Sequence, residues 1–240
     1  MNVKKIETNK RVIDLVVLVE IAIVFLIVIT VKWVADTLST TGAGSIAIWV
    51  GIISATLFMK KRGIKWRQFG MRLPKSRKEW ITDIALAFLS VILVIVFMAL
   101  ILDPFVNYLG LESPPESHDR FAFFLGKPLL FISYLIGVVW FGAALGEELL
   151  MRGYVLNRLV NFFGDSKLSK FAALSVQAFI FGLLHAYQGL PGIIGTGMVA
   201  LIFGTIYFSA NQRLFPVIIG HGIINTISLT AYYLSDGTII

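Results

Sequence analysis

The stretch PLLFISYLIGVVWFGAALGEELLMRGYVLNRL, residues 128–159, decides the fold. From Leu129 to Gly146 it carries no charge, and a membrane-crossing helix needs about 20 mostly apolar residues. Glu147, Glu148 and Arg152 then follow at once. An ionisable side chain in a span costs a few kcal/mol, so it turns towards the bundle interior and marks function. On a helix Glu148 and Arg152 are i,i+4 neighbours that can pair, and a paired charge is far cheaper in low dielectric than a lone one. Glu147 is rotated about 100° away and is left to face something else. Gly142 and Gly146 form a small-xxx-small pair that lets another helix approach closely.

The rest of the chain fits the same setting. It has 240 residues, 57% hydrophobic and 15% charged, against about 25% charged in ordinary soluble domains. Mean hydropathy is +0.84. This excludes a soluble globular domain, a disordered chain and a small disulfide scaffold. With no cysteine, there is no thiolate metal site and no cysteine nucleophile. The expected fold is all-α, a polytopic transmembrane bundle of about seven helices. They fall near 12–35, 44–59, 81–102, 128–150, 169–186, 192–209 and 214–234, and an eighth would hide in 103–127 or 153–167. Residues 1–127 form an N-terminal helical part, with a basic loop at 60–80 and an outer loop at 103–127. Residues 128–240 form a second part, expected to be the core that carries the chemistry.

Lysine and arginine are lopsided. Lys4, Lys5, Lys10 and Arg11 precede the first span, and nine more lie between Lys60 and Lys78. Arg152, Arg158, Lys167 and Lys170 follow the fourth span, and Arg213 follows the sixth. The positive-inside rule therefore places the N-terminus in the cytoplasm. The net charge of +7 reflects these loops and not a nucleic-acid partner. Trp66, Phe69, Met71 and Trp80 within the basic segment would suit the headgroup level of an anionic leaflet, or the segment is a topology determinant alone. Asp14, Lys32 and Asp83 can reach an interface. Glu20 lies deeper and needs a partner. His118, in the outer loop, reads as solvated.

Two more polar sets sit in apolar spans. FIFGLLHAYQG, residues 179–189, places His185 one turn after Phe181 on one face. HGIINTIS, residues 221–228, places His221 and Asn225 at i,i+4. Taken singly, each histidine reads as a satisfied core residue. Taken together, three helices offer Glu, His, and His plus Asn, each within a turn or two of a helix end. A carboxylate can take a proton from water, a histidine can hold that water or a metal, and imidazole or carboxamide can stabilise an oxyanion. Glu147, His185 and His221 could also ligate a divalent ion such as zinc, with one position open. The chain has no H-E-x-x-H, no G-x-S-x-G and no Gly-rich phosphate loop.

These residues resemble the CPBP family of intramembrane proteases, which includes the type II CAAX prenyl endopeptidases. Its motifs E-E-x-x-x-R, F-x-x-x-H and H-x-x-x-N stand here as Glu147-Glu148…Arg152, Phe181…His185 and His221…Asn225. The resemblance implies an intramembrane endopeptidase whose cavity is reached from the cytoplasmic side. In it Glu147 is the general base, His185 holds the attacking water or a metal, and His221 and Asn225 stabilise the oxyanion or stand as metal-side ligands. Glu148, Arg152 and Phe181 are supporting residues. The implied substrate is a membrane-associated protein or peptide, CAAX-like or linked to bacteriocins, in a bacterial plasma membrane. Competing readings are a non-catalytic peptide-binding immunity protein and an ion-coupled transporter, the latter disfavoured by the lack of an inverted repeat.

Overall fold

The computed structural model describes residues 3–114 and 120–238, with side chains from Leu15 onward. His118 and the side chain of Asp14 lie outside the described residues. Among the described residues, seven helices are long and apolar enough to cross a membrane. They are α1 (Val3–Thr37), α2 (Ala43–Lys61), α3 (Arg77–Leu109), α4 (Pro128–Phe163), α5 (Lys167–Leu184), α6 (Gly189–Ser209) and α7 (Phe215–Leu234). Local chemistry sets their starts. Ser76 Oγ accepts from the Glu79 amide at 3.2 Å ahead of α3, and Ser166 Oγ accepts from the Ser169 amide at 3.1 Å ahead of α5. Pro128 and Pro216 stand in the first turns of α4 and α7, where no amide donor is missed.

Packing runs α1 to α2 to α4, then α4 to α7 to α3, with α5 paired to α6. The outward faces are apolar, for example Leu26, Ile29, Phe88, Ile92 and Phe179, while small residues bring helices together. A Cβ on Gly142 would stand 2.6 Å from Ser45 Cβ, and one on Gly146 would stand 2.9 Å from Ile48 Cγ2. The small-xxx-small pair is thus the seat of α2 on α4.

The structure corrects several expectations. The fourth span does not stop near 150 but runs to Phe163. Its polar residues do not break it, because Glu148, Arg152, Asn157 and Arg158 all bond inside the bundle. Glu147 and Glu148 therefore sit mid-helix, not near an end. Segment 153–163 continues α4 and 103–109 continues α3, so no eighth span forms among the described residues. Asp83 does not reach an interface. It is fully buried and receives two bonds from Arg213, Nε at 2.8 Å and Nη2 at 2.6 Å. The partner of Glu20 is a pair of arginines, Arg62 at 2.9 Å and Arg158 at 2.6 Å.

Two aromatics of the basic segment turn inward. Trp66 donates its indole N–H to Thr56 Oγ1 at 3.0 Å, and Phe69 is buried in the core. Trp66 and Leu214 both pack on Gly153, each 3.3 Å from where its Cβ would be. This fixes a level along the bundle axis at the basic end.

Candidate active site

Glu148 is the hub. It lies five residues before Gly153, further along α4 from the basic end than the Trp66 level. Arg152 Nη1 donates to Glu148 Oε1 at 2.9 Å, and His221 Nδ1 meets the same oxygen at 2.8 Å. The Glu148 and Arg152 side chains are wholly buried. Most of α4 around them, Leu135–Glu147 and Leu149–Leu156, is wound as π-helix. Such winding is rare and gathers at functional sites.

The Arg152 guanidinium lies between two rings, 5.1 Å from the Phe181 centroid and 5.5 Å from Phe203. Phe181 in turn holds His185 at 4.7 Å between centroids, and Phe203 holds His221 at 5.5 Å. Cation–π contacts in a desolvated site are worth about 2 kcal/mol. The two rings thus carry α5 and α6 onto the charge pair of α4. His185 forms the C-terminal boundary of α5, and its Nδ1 meets the Phe181 carbonyl at 2.9 Å.

Both histidines are therefore tautomerically set. A carbonyl and a carboxylate oxygen can only accept, so Nδ1 carries the proton in each ring. Nε2 of each makes no hydrogen bond among the described residues. Glu147, half-buried one position from the hub, likewise accepts none there, although it acts electrostatically on Arg152. The Asn225 amide, half-buried one turn after His221, is also uncommitted among the described residues. The structure thus joins Glu148, Arg152, Phe181, His185 and His221 in one contact chain. It leaves Glu147 and Asn225 adjacent to that chain without bonding them to it.

Residues 128–227 match the family model described as type II CAAX prenyl endopeptidase Rce1-like. Over this segment, 100 of the 240 residues, the chain is similar to that family. No curated protein and no solved structure matches it. Every motif residue, from Glu147 to Asn225, falls inside the Rce1-like segment. The description names an endopeptidase, and the matched segment lies in helices long and apolar enough to cross a membrane.

The Rce1-like segment also contains supports that the motifs do not show. Phe203 sits on α6, an evenly apolar helix, so nothing in its local pattern distinguishes it. The Ala200 carbonyl accepts from Arg152 Nη2 at 3.4 Å. Trp140 donates to Thr226 Oγ1 at 3.1 Å, packed against Gly222, and so braces α7 beside Asn225.

The two imidazoles have the chemistry of ligands, Nδ1 anchored and Nε2 free. Their placement does not fit: no group of three or more His, Asp or Glu among the described residues could hold an ion. Glu147, His185 and His221 are not gathered as a ligand set.

Proposed function

We propose that this protein is an intramembrane endopeptidase that hydrolyses a peptide bond in a membrane-associated protein or peptide with a glutamate-activated water. The observation that carries the reading is the division of labour between adjacent glutamates. Glu148 is committed to Arg152 and His221, while Glu147 is not committed to any hydrogen bond among the described residues.

Glu147 takes a proton from water, and the water oxygen attacks the scissile carbonyl carbon. His185 Nε2 accepts the other water hydrogen and fixes the lone-pair direction. The Asn225 amide donates to the developing oxyanion. His221 adds a second donor when Nε2 is protonated, and Glu148 then carries the balancing charge. Collapse expels the amine, which takes the proton from Glu147. Removal of one oxyanion donor typically costs about 10²–10³ in rate.

Topology supports the side of access. The basic segment packs on α4 at Gly153, five residues after Glu148, and basic loops face the cytoplasm. The reading therefore places the N-terminus and the site entrance on that side. The substrate class extends to CAAX-like termini and bacteriocin-related peptides. The test is a terminal-peptide proteomic comparison of membranes bearing the native protein or Glu147→Gln. New termini made only by the native protein are expected. Identical termini, with an unchanged cellular phenotype, would overturn the reading in favour of a binding protein.

A further inference from the structure

A groove lined by none of the motif residues runs along the junction of α1 and α2. Ile27 lines it from α1, and Ser54, Leu57, Phe58, Lys60 and Lys61 line it from α2. Its volume is about 540 Å³, within the range of about 300–1,000 Å³ typical of small-ligand sites. The groove has a physical origin. Ala47, Gly51 and Ala55 are buried at four-residue spacing on α2 and draw α1 in tightly, so that a Cβ on Gly51 would stand 2.5 Å from Val28 Cγ2. The bulkier Leu57 and Phe58 sit beside this close approach and leave a furrow on the flank.

Its chemistry is graded along its length. The wall is aliphatic and aromatic, and Ser54 spends its hydroxyl on the Val50 carbonyl at 3.0 Å, so it offers the groove no donor. The end nearest the basic segment carries two ammonium groups. The neighbouring Arg62 is taken up by Glu20, but Lys60 and Lys61 are exposed and have no carboxylate partner among the described residues. An apolar furrow in a membrane-facing wall, ending in two uncompensated cations at the helix terminus, complements one kind of molecule: a chain with an anionic head.

We propose that this groove is a binding site for an anionic phospholipid, with one acyl chain along Ile27, Leu57 and Phe58 and the phosphate between Lys60 and Lys61. Basic pockets between transmembrane helices hold acidic headgroups by the same electrostatics. The site is independent of the proteolytic reading, since none of its residues belongs to the three motifs.

The test is reconstitution of the full chain in nanodiscs of phosphatidylcholine with a minor fraction of phosphatidylglycerol, followed by native mass spectrometry of the lipid that stays bound. Native protein is expected to retain phosphatidylglycerol over phosphatidylcholine. Lys60→Gln with Lys61→Gln is expected to lower that retention by roughly thirtyfold, from two lost headgroup attractions. The Lys60→Arg, Lys61→Arg protein should keep it. Ser54→Trp, which fills the groove and leaves both lysines, should lose it. Arg67→Gln with Lys78→Gln, cations outside the groove, should keep it. Equal retention of both lipids by native protein would overturn the site. So would unchanged retention in the double Gln protein, or an equal loss from Arg67→Gln with Lys78→Gln.

Discussion

Two groups of buried charge occupy this bundle, and they are built differently. At the basic end, Glu20 is clasped by Arg62 and Arg158, and Asp83 receives both nitrogens of one edge of Arg213. Arg213 also lies 3.4 Å from Glu79, and the Asp83 hydrogen bond raises its already high pKa. In both clusters the carboxylate oxygens are engaged by guanidinium. Near the centre, Glu148 directs one oxygen at both Arg152 and His221. Its Oε2 has no partner among the described residues, and Glu147 stands uncommitted beside it. Saturated clusters lock helices. A cluster with a carboxylate, two imidazole nitrogens and an amide left over can act on something else.

The contrast can be broken at its strongest contact first. Arg152→Met leaves Glu148 buried with half its support and strips the cation from between Phe181 and Phe203. Loss of one partner of a buried pair costs about 3–5 kcal/mol, to be read from denaturant unfolding in detergent. A change under about 1 kcal/mol would show that Glu148 is held by His221 alone.

Asp83→Asn is the matching test at the basic end. Arg213 keeps Glu79 as a second partner, so the expected loss is smaller, about 2–3 kcal/mol. Asp83→Asn combined with Arg213→Met should recover part of it in a double-mutant cycle. Neither protein should lose cleavage beyond its unfolded fraction. A folded Asp83→Asn protein without activity would erase the distinction between the clusters.

The smallest effect is expected at Gln177, which is fully buried with neither amide atom bonded among the described residues. Replacement of an unsatisfied buried polar group by an apolar one of similar shape is nearly neutral or stabilising. Gln177→Leu should therefore unfold within about 1 kcal/mol of the native protein, on either side. A loss of several kcal/mol would assign Gln177 a partner within the core.

The sequence carried the helices well because hydropathy over about 20 residues is a summed signal that single residues rarely reverse. It carried the three motifs because few charges and few histidines occur in these spans. It misplaced what depends on pairing. Asp83 lies seven residues into α3 and looked able to reach water, yet Arg213, 130 positions away, holds it inside. The polar run after Glu148 looked like a helix end, yet Asn157 reaches the Tyr207 hydroxyl at 2.7 Å and Arg158 reaches Glu20. Such contacts between distant positions leave no local trace. Phe203 escaped for the opposite reason, since one more phenylalanine on an apolar helix is not distinctive.

The central claim is that adjacent glutamates divide structure from chemistry. It is tested most directly by measuring cleavage and unfolding together for Glu147→Gln and Glu148→Gln. The account predicts that Glu147→Gln unfolds with the native protein and loses cleavage by at least about 10²-fold, while Glu148→Gln loses stability as well, because Arg152 is left in the core without its carboxylate. A Glu147→Gln protein that cleaves at the native rate, or one that loses as much stability as Glu148→Gln, would contradict it.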